Sequence, residues 1–318
     1  MLASAAMPAL RDLTAEERVA YFQGVQPIWG GGLAEPMFVT FQRRLADSPE
    51  ARDRYRLLGL FEGGSFLSAM KAYELEGRFA GQPLRLLGIG AVFTPPHLRR
   101  QGFAAAMLSL SMDEYAHRGC GAAVLFSDIG GEFYQRLGFR ALESRECLVE
   151  SSALPRPAGG FRAVGPGEEG EVSALLARGR DAGERLTLSR DGWTLRLQLR
   201  RLRELARARG VGEPEWGLRV EGRGGDAVAM IRLGRDTLDL LDAAWTSDAA
   251  RGRLLGALRD CMARSGRSRL RLWPAHQLRE HFAPQERAAA LAMVAPLRDG
   301  VAVPASGDSA ELALLDHI

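Results

Sequence analysis

Arg99, Arg100, Gln101, Gly102, Phe103 and Ala104 lie in the stretch PPHLRRQGFAAAML, residues 95–108, where two prolines give way to a run of good helix formers. The spacing Arg99-x-x-Gly102-x-Ala104 suits the binding of an anion. The first turn of a helix offers unpaired backbone N–H groups and partial positive charge. A glycine lets a ligand approach the backbone closely, and Ala104 keeps the next position small. Successive N–H groups can then donate to phosphate oxygens. Pro95 and Pro96 stop the preceding strand and cannot continue a helix. The bland alternative is a capped surface helix with two solvated arginines.

A strand must bring the chain to this corner and a helix must carry it away. PLRLLGIGAVFT, 83–94, reads as a long buried strand, and the helix after the corner runs to about Arg118. Upstream, ALRDL is a short strand. TAEERVAYFQGV is a helix with Thr14 at its N-cap and Glu17 three residues on, a capping-box pattern. Residues 34–46 form a second helix. YRLLGLFEGG and SFLSAMKAYEL are two strands around Gly63-Gly64. Downstream, GAAVLFSD is a buried strand over 121–128, and GGEFYQRLGF is a short helix leading into strand near 139–149. The order is that of an α/β sheet, in which ligands tend to sit at the carboxyl ends of strands.

SSALPRPAGG, 151–160, is small, polar and broken by proline, and marks the expected domain boundary. The second part repeats the order more faintly. FRAV is a strand, 168–178 a helix, and 189–209 a longer helix. EWGLRVEG, AVAMIRLG and TLDLLDAAW are three strands, 248–264 is a helix, and RLRLWP a strand. The sequence thus predicts a duplicated fold, with domains at 1–150 and 161–318 joined by a linker at 151–160. The tail after Pro304 has no assigned role.

The chain of 318 residues is long enough for two domains. It is 46% hydrophobic and 25% charged, as in an ordinary soluble globular protein. The net charge is only +3 despite a pI near 9.0. Lys71 is the one lysine among 42 basic residues, so the arginines express a compositional bias, and nucleic-acid binding is not expected. Cys120, Cys147 and Cys261 are widely spaced and form neither a metal motif nor a disulfide framework. No metal is expected. MLASAAMPAL lacks the basic start of a signal peptide. The apolar run AAALAMVAPL, 288–297, is far short of the roughly 20 residues that span a bilayer. The expectation is a cytoplasmic protein without a membrane partner.

AVFTPPHLRRQGFAAAML followed by VLFSDIGGEFYQRLGF resembles the two central motifs of the GCN5-related N-acetyltransferase (GNAT) superfamily. The likeness is clear over residues 83–143, and the strand order extends it to the first half. It implies that the anion is the pyrophosphate of acetyl-CoA, bound by the amides of Arg100, Gln101, Gly102, Phe103 and Ala104 beside Arg99. It implies that the backbone of Val92, Phe93 and Thr94 meets the pantetheine arm and the acetyl carbonyl. Strand-like pairing to pantetheine further implies that the strands at 83–94 and 121–128 splay apart. The fold implied is two tandem GNAT-like domains, each a mixed central sheet flanked by helices, the second degenerate. The paired layout is similar to the enhanced-intracellular-survival type aminoglycoside acetyltransferases. From its length, this chain is not expected to carry that group's sterol-carrier-like third domain. LFSDIGGEFYQRLGF is also similar to fungal lysine N-acetyltransferases.

Acetyl transfer to an amine needs a base for the amine, stabilisation of the developing oxyanion, and a proton for the departing thiolate. The resemblance gives Tyr134 the third role, against the alternative of packing beside Phe133 and Phe139. Ser127 and Asp128 end a strand on the functional edge, where Asp128 could bind or deprotonate an ammonium or simply close an Asx turn. Glu132 reads as a helix-start charge and His97 as a solvated loop residue. His317 and the Ile318 carboxylate are further candidates, since a terminal carboxylate acts in some paired-domain relatives.

When DAAWTSDAARGRLLGAL is laid on GAVFTPPHLRRQGFAAAML, Arg251 falls on Arg99, but Leu254 falls on Gly102. The second half should therefore bind no CoA, and could shape the substrate cleft, complete the core or make a homo-oligomer contact. In RDGWTLRLQLRRLRELARARG, Leu195, Leu199, Leu202 and Leu205 or Ala206 recur at helical spacing. One face should be buried and the arginines solvated on the other. Trp193 and Trp216 should be core or interface, with substrate stacking as the lesser alternative. The expected activity is transfer from acetyl-CoA to a small-molecule amine of amino acid, polyamine or aminoglycoside type, through an enclosed, acidic pocket. A protein or peptide N-acetyltransferase would show an open groove instead. An acyl-CoA-binding regulatory protein would keep the pocket without turnover.

Overall fold

The computed structural model describes residues 8–157, 160–165, 167–178, 185–212, 215–273, 281–287, 289–313 and 317. The first half runs β1 (Ala9–Asp12), α1 (Ala15–Trp29), α2 (Glu35–Ala46), β2 (Tyr55–Glu62), β3 (Ser65–Phe79), β4 (Gln82–Phe93), α3 (Phe103–His117), β5 (Ala122–Ser127), α4 (Glu132–Gln135), β6 (Arg140–Ala141) and β7 (Arg145–Glu150). The second runs β8 (Arg162–Ala163), α5 (Glu169–Arg178), β9 (Thr187–Leu188), α6 (Gly192–Ala208), β10 (Gly217–Val220), β11 (Ala227–Leu233), β12 (Thr237–Trp245), α7 (Asp248–Ser265), β13 (Arg269–Leu272), β14 (Gln285–Glu286) and β15 (Leu291–Pro296).

Local chemistry sets several of these starts. Thr14 and Glu17 close the capping box expected for α1. The Asp191 carboxylate accepts from Thr194 N–H at 2.8 Å and starts α6. Ser247 accepts from Ala250 N–H at 3.1 Å and starts α7.

The two mixed sheets are built to one plan. In the first, β2, β3 and β4 form an antiparallel meander, α3 crosses over, and β5 returns parallel to β4. In the second, β10, β11 and β12 form the meander, α7 crosses over, and β13 returns parallel to β12. The strand beside each returning strand comes from the other half. β15 pairs with β5, with Met293 opposite Leu125, while β7 pairs with β13, with Leu148 opposite Arg271. β9 adds to the far end of β3. The boundary segment itself packs down: Leu154 is buried, and Arg259 donates to its carbonyl at 2.7 Å.

α1 and α2 cover one face of the first sheet, through Tyr21, Phe22, Val25, Phe38 and Phe41, and α3 covers the other through Met107, Leu108 and Tyr115. α6 departs from the sequence expectation of one buried face. Leu195, Leu199 and Leu202 pack on the second sheet, whereas Leu197 joins the core of the first. The helix lies between two cores, so its arginines are not simply a solvated face. Arg200 and Arg207 bond to the buried Glu204 carboxylate, and Arg201 turns inward. Trp216 is core and Trp193 is partly buried, its indole donating to Glu50 O at 2.6 Å.

β15 was hidden in the apolar run at 288–297, whose six-residue strand has no alternation because both faces are buried. Met293 has no exposed surface. Met293→Ala should cost about 2–5 kcal/mol, and because Met293 pairs inside the first sheet, the loss should appear as a lower urea midpoint for fluorescence of the first-half core. A midpoint equal to wild type would mean that β15 is not a structural strand of that sheet.

Candidate functional site

The site begins with a flaw in β4. Ala69 pairs with Phe93 and Lys71 with Gly90, so Ala91 and Val92 together oppose Met70. This two-against-one count is a β-bulge. Ala91 takes φ +46, and the Tyr21 hydroxyl donates to its carbonyl at 2.6 Å. A non-glycine residue in the left-handed region persists only when its surroundings hold it. Beyond the bulge, Ser68 Oγ donates to Phe93 O at 2.8 Å and lies 3.0 Å from Thr94 Oγ1.

The parallel ladder between β4 and β5 ends at Ile89 and Leu125. β5 continues to Ser127, held from its other side by β15 as far as Leu291. Residues 90–93 therefore turn an unpaired backbone edge toward the gap, which is the expected splay. A cavity of about 530 Å³ opens there, within the size range of small-molecule sites. Val92, Phe93, Thr94, Arg99, Ser127, Asp128 and Tyr134 all line it.

Arg100, Gln101, Gly102, Phe103 and Ala104 lie outside the cavity, at the adjoining start of α3. Gly102 is the N-cap with φ +89, and Arg100 has φ +64. No side chain caps this helix, and its ladder begins with Ala106 N–H to Gly102 O at 2.9 Å. The N–H groups of the first turn are left for something else. A Cβ at Gly102 would meet nothing within 4 Å, so the space over the turn is open. α7 differs at the matching place. The two helix starts correspond as Gly102 and Ser247, so laying Leu254 on Gly102 is out of register: Leu254 is buried in mid-helix, and what differs at the start is that Ser247 caps the Ala250 N–H.

Tyr134 is both packed and presented. Its ring meets Phe133 and Phe139 edge-on at 4.9 and 5.9 Å, while the residue lines the cavity. Burial, with the nearby Asp128, pushes its phenol up to about 12, so it stays protonated throughout the neutral range. Ser127 Oγ donates to Gly130 O at 2.6 Å and accepts from Ile129 N–H at 3.3 Å, a local turn that occupies its proton. Asp128 accepts from Trp29 Nε1 at 3.2 Å and from Ala290 N–H at 3.0 Å. Its carboxylate thus ties α1 and the entry to β15 to the end of β5. His97 and Glu132 are exposed and do not line the cavity.

Of the far wall, sequence reasoning named only His317, through its place near the chain's end, and missed the rest. Lys71 from β3, Arg201 from α6, Arg232 from β11 and His317 complete the lining. The His317 ring packs 5.5 Å from both Phe126 and Trp273, and its carbonyl accepts from Arg201 at 3.2 Å. Burial, with Arg201 nearby, lowers its imidazole to about 4. Ile318 lies outside the described residues. Lys71 Nζ donates to Gln42 Oε1 at 2.8 Å, and burial, aided by Arg201, lowers its ammonium to about 7. Asp128 is the single carboxylate among the described lining residues, against Lys71, Arg99, Arg201, Arg209 and Arg232. Among the described residues, therefore, the pocket is not the acidic one expected of a small-amine enzyme. Its walls are cationic because α6 and β11, which sequence reasoning did not bring to the site, supply arginines.

Residues 11–142 match the family model of the acetyltransferase (GNAT) domain. No curated protein sequence matches the chain. Among solved structures, the fold is similar to a GCN5-related N-acetyltransferase from Anabaena variabilis, with a TM-score of 0.66 and 12% identity over 92% of this chain and 73% of that one. It is also similar to a GCN5-related N-acetyltransferase from Kribbella flavida, at 0.64 and 15% over 91% and 72%. Eis1 from Mycobacterium abscessus gives 0.59 and 17% over 92% and 74%. At such identities the likeness is one of fold, and it extends through both halves of the chain.

Proposed function

Because residues 11–142 match the acetyltransferase (GNAT) domain model, we propose that the chain transfers an acetyl group from acetyl-CoA to a primary amine of a small molecule, by direct attack of the amine. The observation that carries this reading is the join between the uncapped, glycine-started α3 and the cavity at the parted β4 and β5. The donor supplies an activated thioester. The first-turn amides from Arg100 to Ala104, with Arg99 beside them, are suited to its pyrophosphate. The free edge of Val92, Phe93 and Thr94 is suited to the amides of its pantetheine arm and to the acetyl carbonyl.

Tyr134 is the proposed general acid. Its phenol donates as the carbon–sulfur bond breaks. It regains a proton from the nitrogen, which becomes strongly acidic on the way to an amide, so no phenolate need persist. Ser127 and Asp128 act as positioning residues in this reading, since both are engaged in local hydrogen bonds. Enclosure by both halves favours a small molecule over a protein segment. The cationic lining favours an amine that carries an acid group, such as an amino acid, over a polyamine or an aminoglycoside, which would meet several arginines and one carboxylate. In this reading the second half serves as a wall of the acceptor site and binds no donor, since α7 starts at a capping serine in place of the open glycine of α3.

Excess acetyl-CoA should raise the thermal unfolding temperature, by about 2.7 kcal/mol of added stability at 100 times Kd. One equivalent should bind per chain. Gly102→Leu puts a side chain at positive φ, costing about 1–2 kcal/mol, and fills the open space over the turn. It should fold and lose the acetyl-CoA shift. A full shift in that variant, or none in wild type, would move the donor elsewhere. Tyr134→Phe should cut kcat while leaving acetyl-CoA affinity near wild type, and unchanged turnover in a thiol-release assay would remove Tyr134 from the chemistry. In the same assay, amines bearing a carboxylate should turn over with higher kcat/KM than polyamines of similar size. The reverse order would show that the cationic wall does not face the acceptor.

A further inference from the structure

We infer that Lys71 is the general base of the reaction, taking a proton from the acceptor's ammonium group. This rests on the acetyltransferase reading of the cavity above. Lys71 stands on β3 opposite Gly90, next to the bulge at Ala91 and Val92 where the unpaired edge begins. Its side chain lines the cavity that this edge opens. Nζ is held by one hydrogen bond, to Gln42 Oε1 of α2 at 2.8 Å, and among the described residues no carboxylate lies within ion-pair distance. An amide acceptor of this kind orients the amine without fixing its charge.

Composition sharpens the point. All but one of the 42 basic residues are arginine. Wherever the chain needs a fixed cation it uses a guanidinium, which does not deprotonate in proteins. The single exception stands in this cavity, where a lysine, unlike an arginine, can switch between cation and neutral base.

The surroundings act in the same direction. Arg201 from α6 is the charged group that faces Lys71, Gln42 faces it from α2, and Tyr73 lies on its own strand. Asp128, Arg232 and His317 line the same cavity. Burial and the Arg201 cation lower the ammonium to about 7, so a useful fraction is neutral at neutral pH. The other candidates are less suited. His317 is held near 4, and Asp128 already accepts two hydrogen bonds.

The protons balance. The acceptor ammonium gives one proton to neutral Lys71, and its nitrogen lone pair forms the bond to the carbonyl carbon. The carbon–sulfur bond breaks, and a second proton leaves the nitrogen and reaches the sulfur by way of Tyr134. Lys71 then releases its proton to solvent, so each turnover yields one amide, one thiol and one free proton.

The test uses the full chain without added lysines. With lysine labelled at the ε-carbon, the protein has a single lysine signal. It should titrate with a midpoint near 7, and a midpoint near the ordinary value of about 10.4 would overturn the assignment. Wild-type kcat/KM should rise through the same pH and then level. Lys71→Arg, which keeps the charge, and Lys71→Met should each lower kcat/KM at pH 7 by about 100-fold or more, while acetyl-CoA still raises their unfolding temperatures. In Lys71→Met the residual rate should climb tenfold per pH unit, because only free amine reacts. Activity in Lys71→Arg close to wild type would make the residue a cation for binding or packing and overturn the base role. Loss of the acetyl-CoA shift in wild type would instead sink the acetyltransferase reading itself.

Discussion

Beyond Ile89 and Leu125 two parallel strands stop pairing although both continue. An unpaired buried backbone edge is costly unless something satisfies it, and the rest of the structure supports the gap on every side. The bulge at Ala91 and Val92 turns β4 away, and Tyr21 holds the bulge from α1. On the other side β15 carries β5 forward to Ser127, so that the strand does not fray where its partner leaves it. Asp128 then ties the end of β5 to Trp29 and Ala290. Ala290, like Ala91, has positive φ. The gap thus has strained backbone on both margins, each held by a hydrogen bond from or to another element.

The second half is built into this arrangement. An exchange of strands gives each sheet one strand from the other half, and α6 buries leucines in both cores. That geometry puts arginines where an isolated domain would have solvent. Arg232 is paired with the buried Asp239, which Arg271 also engages. Arg190 and Asp242 are paired with almost no exposure. Buried pairs of this kind contribute little net stability, but removing one partner costs about 3–5 kcal/mol. They fix where the second sheet stands relative to the cavity. Arg201 has no such carboxylate among the described residues, and its charge remains available to the cavity.

Local order was legible in the sequence wherever a local rule governs it. The capping box at Thr14 and Glu17, the Gly63-Gly64 turn and the Pro95-to-Gly102 corner each depend on a few adjacent residues, and the elements around them lie where expected. The repeat of strand and helix order was legible for the same reason. Pairing between distant segments was not. Nothing in LAMVAP says that it lies between β5 and β6, because a strand buried on both faces has no alternation to read. The cavity suffered from the same limit. Its near wall came from motifs, whereas Lys71, Arg201 and His317 come together only through α6 and the strand exchange. The one available signal was the rarity of lysine, which registers as composition until the fold places Lys71 beside the bulge.

In the proposed reaction the cationic wall also bears on the transition state. Attack on the thioester puts negative charge on the carbonyl oxygen, and fixed cations in a partly dry cavity stabilise such charge without having to reorganise. The field that favours this oxyanion also disfavours an ammonium at Lys71 and at the acceptor. In the proposed reaction one arrangement of arginines would therefore serve two steps, keeping Lys71 neutral until it takes the acceptor's proton and easing charge development on the carbonyl oxygen afterward. A carboxylate in place of Arg201 would reverse both effects, holding Lys71 protonated and repelling the oxyanion. An acidic pocket would bind a cationic amine more tightly but leave it protonated. On the proposed reading, the lining gives up that ground-state attraction in favour of a neutral nucleophile, and an acid group on the acceptor would restore binding at a distance from the reacting nitrogen.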